Sequence, residues 1–188
     1  LIYCIRNIVI FNSFSKVQNV SNYAYAYTQG EGENEVYHKD GISKEIWELS
    51  DGTNDIIWYN FYTKEAMYID ESDKTVRIYT SESNPITSIG EVIVQTAISN
   101  NTAGRIYSAI TTFITTEEVD GVECYVLHPW RGIISNTYYF NKETKTLEQA
   151  ITGFDGPKTK FYNWKINEVT NKDISLPDLS DYEVTDER

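Results

Sequence analysis

Residue types able to do chemistry are sparse in this chain, and they do not gather. His38 and His128 are the only histidines, and a zinc site wants three or four His, Cys or carboxylate ligands. Cys124 precedes His128 by four residues in the extended run VECYVLH, so the two would share a face yet stand far apart. Cys4 and Cys124 are the only cysteines. They either pair or remain free thiols, and Cys124 reads as a small core residue. The acidic stretches Asp51-Gly52-Thr53-Asn54-Asp55 and Asp70-Glu71-Ser72-Asp73 offer oxygens that calcium could use. They lack the twelve-residue loop spacing and read as solvated hairpin turns. No serine stands in a nucleophile elbow, and no Gly-rich loop leads from a strand into a helix. Nothing selects one pair among the 28 carboxylates. The expectation is a non-enzyme with no metal and no cofactor.

Bulk charge narrows the partners further. The net charge is −12 and the pI about 4.6. Nucleic-acid binding depends on Lys and Arg neutralising phosphates, so a general nucleic-acid binder is not expected. The same balance disfavours electrostatic docking of the chain as a whole on anionic lipid. Mean hydropathy of −0.44 and four prolines fit a soluble folded chain. Its 15 Tyr, 7 Phe and 4 Trp separate it from disordered sequences.

What the sequence does offer is apolar surface, and a hydrophobic ligand needs little else. Each buried CH₂ contributes about 0.8 kcal/mol, so an acyl chain can be held without specific polar contacts. Ile57, Tyr59 and Phe61 are expected on one face of a strand, followed by Met67 and Ile69, then Val76 and Ile78. Trp164 and Ile166 come from the last long strand, and Ile89 and Ile93 from a helix. Met67, the only methionine, could adapt to variable ligands. These side chains either line a cavity or simply pack against one another.

The elements that must position them read mostly as strands. Residues 1–19 carry Ile5, Ile8, Val9, Phe14 and Val17 at helical spacing. From Ser21 the period becomes two: Tyr23, Tyr25 and Tyr27 share one face, with Ala24 and Ala26 on the other. Asp40-Gly41 and Asp120-Gly121 mark tight turns. The runs NDIIWYNFYT, EAMYID and KTVRIYT follow as strands. Asn84 and Pro85 then open a helix over 84–100, with Ile86, Ile89, Ile93 and Ala97 as its apolar stripe. RIYSAITTFITTEE, VECYVLH, IISNTYYFN, TLEQAITG and KFYNWKINEV read as further strands. Residues 171–188 form an acidic, extended tail pinned by Leu176, Pro177 and Leu179. The expected class is α+β, mainly β. It is a single domain over 1–188, with a curved antiparallel half-barrel of about eleven strands, an N-terminal helix and a central lid helix.

Three local patterns carry a family resemblance: FSKVQNVSNYAYAY, the run of hairpins before the middle helix, and the pair TYYFNKETKTLEQA and LPDLSDYEV. Together they resemble the LolA/LolB/RseB superfamily of lipoprotein carriers and lipid-sensing periplasmic proteins, most closely its uncharacterised Gram-positive type. The resemblance implies an open half-barrel lidded by helices and an apolar cavity for acyl chains. It also implies an extracytoplasmic monomer, secreted or membrane-anchored. The ligand would be a hydrophobic small molecule or a lipoprotein acyl chain, with a membrane protein as a further partner. The alternative is a sensor or protein-interaction ectodomain. Arg77, flanked by Val76 and Ile78, should face away from them, so the family's cavity arginine is not assigned to it.

Overall fold

The computed structural model describes residues 2–14, 17, 19–29, 32–81, 102–129, 136–153 and 156–188. In chain order these form α1 (Ile2–Ser13), β1 (Tyr23–Gln29), β2 (Gly32–Lys39), β3 (Ile42–Glu48), β4 (Asn54–Asn60), β5 (Glu65–Asp70) and β6 (Thr75–Thr80). After them come α2 (Thr102–Thr111), β7 (Thr112–Val119), β8 (Val122–Pro129), β9 (Thr137–Asn141) and β10 (Leu147–Ile151). The last elements are β11 (Lys158–Ile166) and β12 (Glu183–Asp186). The fold is mainly β, of the α+β class, with unclosed sheets. The expected helix 84–100 lies outside the described residues.

The chain forms two compact units, one of residues 1–20 and 89–161, the other of residues 21–88 and 162–188. In the second unit the strand order is β12-β6-β5-β4-β3-β2-β1-β11. The Asp40-Gly41 turn, with φ of 51° and 73°, supplies the two left-handed residues that a two-residue hairpin needs. It sets Lys39 opposite Ile42 and Val36 opposite Glu45. The next hairpin departs from expectation, because β4 stops at Asn60 and Phe61 belongs to a four-residue turn. Asn60 Oδ1 accepts from the backbone N–H of Tyr62 (3.0 Å) and Thr63 (3.3 Å), and this side-chain turn ends the ladder.

The 171–188 segment is more than an extended tail. Residues 171–174 turn, Ile174 is buried with Ala24 and Val169, and Leu176, Leu179 and Tyr182 pack on Ile56, Ile69 and Val76. β12 then runs parallel to β6, Val184 opposite Val76, whereas β1 to β6 pair antiparallel in sequence. The two leucines thus anchor the tail as anticipated, while the parallel strand had no local signal.

In the first unit the order is β11-β10-β9-β8-β7, with α1 packed against α2. Phe14 meets Phe140 edge to face at 4.9 Å, and Phe11, Ile114 and Leu127 are fully buried. α1 ends at Ser13, whose Oγ donates to Ile10 O (2.6 Å). Of the rest of the helix expected over 1–19, Val17 is helical again and residues 15, 16 and 18 lie outside the described residues. A larger correction concerns Arg105–Thr111, which read as strand but form most of α2. The reason is tertiary. A helix leaves its last carbonyls unpaired, and buried Asn7 of α1 donates from Nδ2 to Ala109 O and Thr112 O, both at 3.0 Å. Asn7→Ala should cost about 1–3 kcal/mol, since it strands two carbonyls. Urea unfolding checks this, and loss of helical far-UV signal before global unfolding is the expected signature.

Candidate functional site

Residues directly opposite one another in an antiparallel pair share a face, so the register sorts the second unit's candidates. On β4–β6, Ile56 faces Ile69 and Val76, while Trp58 faces Met67 and Ile78. On the other face Ile57 pairs with Tyr68 and Arg77, and Tyr59 with Ala66 and Tyr79. Ile57 and Tyr59 therefore lie on the opposite face from Met67, Ile69, Val76 and Ile78. Phe61 is 40% exposed in its turn and joins neither face. Trp164 and Ile166 are half-buried on β11, and Trp164 stacks on Tyr25 at 4.7 Å. Ile89 and Ile93 lie outside the described residues.

The face bearing Met67, Ile69, Val76 and Ile78 is core. Ile69 and Val76 are fully buried under Leu176, Leu179 and Tyr182, and the Trp58 indole donates to Ile174 O (3.1 Å). The chain fills that face with its own residues.

The other face is aromatic. Reading across the strands, Tyr25 lies opposite Val36, Val36 opposite Glu45, Glu45 opposite Ile57 and Ile57 opposite Tyr68. The row beside it contains Tyr27, Asn34, Trp47 and Asp55. Tyr23 and Tyr25 stack at 6.2 Å, and buried His38 stacks on Tyr23 at 5.3 Å. Arg77 faces away from Val76 and Ile78, as expected, and lies 5.2 Å from the Tyr68 ring centroid. Where this row meets the strand ends, Gly32, Asn34, Trp47, Glu48, Leu49, Ser50 and Gly52 line an open groove of about 810 Å³.

Two tyrosine–carboxylate pairs punctuate the face. The Tyr27 hydroxyl donates to Glu45 Oε1 and the Tyr68 hydroxyl to Asp55 Oδ2, each at 2.5 Å. Burial first, then the Glu45 charge, pushes the Tyr25 phenol up, and burial with the Glu45 hydrogen bond does the same to Tyr27. Phenols held protonated can donate hydrogen bonds but supply no nucleophile at neutral pH. Asp55 is nine-tenths buried, and its second oxygen, Oδ1, has no hydrogen-bond partner among the described residues. The arrangement can therefore stack on an apolar or π-rich group and accept one more hydrogen bond.

None of Tyr25, Tyr27, Trp47, Glu45, Asp55 or Tyr68 is among the ligand-binding residues expected from the sequence. Their signal lay in register: a two-residue turn at Asp40-Gly41 already places Glu45 opposite Val36. Among the described residues no group of three or more His, Cys, Asp or Glu could hold a metal. The acidic turns are occupied by their own backbone. Asp51 Oδ1 accepts from Thr53 N–H (2.9 Å), and Asp70 Oδ1 from Ser72 and Asp73 N–H (both 2.9 Å).

Cys4 and Cys124 are both free thiols. Burial, with the Glu148 charge behind it, pushes the Cys124 thiol up to about 11. Iodoacetamide should label Cys4 in the native protein and Cys124 only after denaturation; no labelling of either without reductant would mean that they are paired.

The Tyr68 phenol is raised from 10.0 to about 12, chiefly by its hydrogen bond to Asp55. The contribution of that bond to stability is complete below about pH 10 and disappears as pH rises through 12. In a spectrophotometric phenolate titration, Asp55→Asn should move one tyrosine back towards pH 10; an unchanged curve would break the assigned pair. No protein-family model matches the chain, and no curated protein matches it in sequence.

Proposed function

We propose that the second unit binds a hydrophobic ligand without chemistry, on the face of its sheet that carries Tyr25, Tyr27, Trp47, Tyr59, Tyr68 and Trp164. The observation that supports this reading is the division between the two faces. One is filled by the chain's own C-terminal segment, whereas the other carries half-buried Tyr25, Trp47, Tyr68 and Trp164. Aromatic faces hold apolar groups through area and ring stacking, both tolerant of ligand identity. The unmet Asp55 acceptor adds that the polar end of the ligand carries a hydrogen-bond donor, a hydroxyl or an amine. An acyl chain with such a headgroup fits both features. The resemblance to the carrier superfamily supports an extracytoplasmic setting and a lipid or lipoprotein acyl chain, and names no residue of this face.

Nile red fluorescence with palmitate or monoacylglycerol as competitor tests the reading. The protein should enhance the dye, and monoacylglycerol should displace it more effectively than palmitate because its hydroxyls can donate to Asp55. Trp164→Ala should weaken dye binding about tenfold, equivalent to roughly 1.4 kcal/mol of lost contact. Met67→Ala, on the filled face, should lower stability yet leave dye affinity in place. Equal loss from both substitutions, or no dye binding at all, would sink the assignment.

A further inference from the structure

We propose that the first unit docks on an anionic lipid bilayer through the paired outer faces of α1 and α2. Ile5 and Val9 of α1 stand one turn apart on its outer side, at 54% and 64% exposure. Ile106, Tyr107 and Ile110 of α2 are exposed as well, Ile110 at 62%. Phe113, the next apolar residue, begins β7 exposed and stacks on Tyr3 of α1 at 6.1 Å. The two helices are held together by Asn7, so the exposed side chains sit on one packed pair. Outside this pair and its junction with β7, the exposed large apolar side chains among the described residues are Phe61, Tyr62 and Val184.

An apolar patch alone does not say what covers it; the charges do. The whole −12 belongs to the second unit, which carries eight basic and twenty acidic residues. The first unit carries eight of each and is neutral. Within it, α1 and α2 contain two arginines, Arg6 and Arg105, and no acidic residue. Arg6 is exposed on the same helix as Ile5 and Val9. The acidity that disfavours lipid docking of the chain as a whole is therefore absent from this surface. Protein interfaces surround an apolar centre with a polar rim. Here the exposed positions of the two helices are aliphatic or aromatic apart from Arg6 and Asn12, a composition that suits helices lying in a headgroup layer. Tyr107 supplies an amphipathic ring for that layer, and guanidinium pairs with phosphate.

Flotation of the full 188-residue chain with vesicles tests this. Phosphatidylcholine vesicles containing phosphatidylglycerol should carry the protein up the gradient, and pure phosphatidylcholine should carry clearly less. The double substitution Val9→Glu and Ile110→Glu, both at exposed positions and checked by circular dichroism for an intact fold, should lower the bound fraction at least about tenfold. Tyr62→Ser, exposed in the other unit, should change nothing. Absence of flotation with either vesicle, equal flotation with both, or flotation that survives the double substitution each overturns the proposal. A dimer seen by light scattering and abolished by the same substitutions, without lipid binding, reassigns the patch to a second copy of the chain.

Discussion

The second unit depends on which face of its sheet the C-terminal segment covers. Burial of Ile56, Ile69 and Val76 under Leu176, Leu179 and Tyr182 supplies the unit's apolar core on that side. Polar ties hold the segment in place: Trp58 Nε1 to Ile174 O, Lys44 Nζ to Ser175 O (3.0 Å) and Lys39 Nζ to Asn171 Oδ1 (2.8 Å). The Trp58 bond matters most physically, because a buried indole N–H left unmatched would oppose the burial it accompanies. Once the segment is seated, β12 covers the outer edge of β6, an edge that would otherwise offer an unpaired backbone ladder. A side chain under the tail belongs to the core that the tail completes, while the reverse face buries Tyr23, His38 and Tyr59 without it.

That division shows why a list of apolar residues does not by itself choose a face of the sheet. Ile57 and Ile69 have the same character, but a one-residue offset in pairing sends them to opposite faces. Hydropathy reads character, whereas register reads position, and register depends on where each turn begins. At Asp40-Gly41 the turn chemistry is local and legible, and the register that follows from it is the observed one. At Asn60 the strand ends because a side-chain oxygen captures two backbone N–H groups, within a run whose aromatic content continues unbroken through Phe61 and Tyr62. The alternation of Tyr23, Tyr25 and Tyr27 against Ala24 and Ala26 was legible for the same reason that Phe61 was not. No turn interrupts it.

α2 shows the other limit of local reading. Thr111, Thr112, Ile114 and the β-branched run after them favour a strand. Helix and strand meet here with no intervening loop, at Thr111–Thr112. Thr111 Oγ1 donates to Tyr107 O (2.9 Å), and Asn7 takes the Ala109 and Thr112 carbonyls at this junction. A cap supplied from the opposite end of the unit's sequence leaves no trace in the residues it caps. Tyr3 acts at the same junction, accepting from Ile114 N–H (2.8 Å) and donating to Thr112 O (3.3 Å). Two polar side chains of α1 thus set where the strand begins.

The acidity of the chain now has a structural account in part. Asp51, Asp70, Asp173 and Asp178 each accept a backbone N–H within three residues. That bond is the first cause holding the last three carboxyls below the ordinary range, while for Asp51 the Thr53 hydroxyl comes first and the Thr53 N–H second. They close turns, which is why oxygens that looked available to calcium are already engaged. Since their pKa values are depressed, the stabilisation they give is present above the ordinary aspartate range and fades as pH falls through the folded values. All four belong to the second unit, the one that carries the net charge. Glu45 and Asp55 are of another kind: each receives a tyrosine hydroxyl on the aromatic face rather than a turn amide. Charge that builds turns says nothing about partners. Charge set among rings, with Asp55 Oδ1 unmet among the described residues, is the charge that the proposed binding would use.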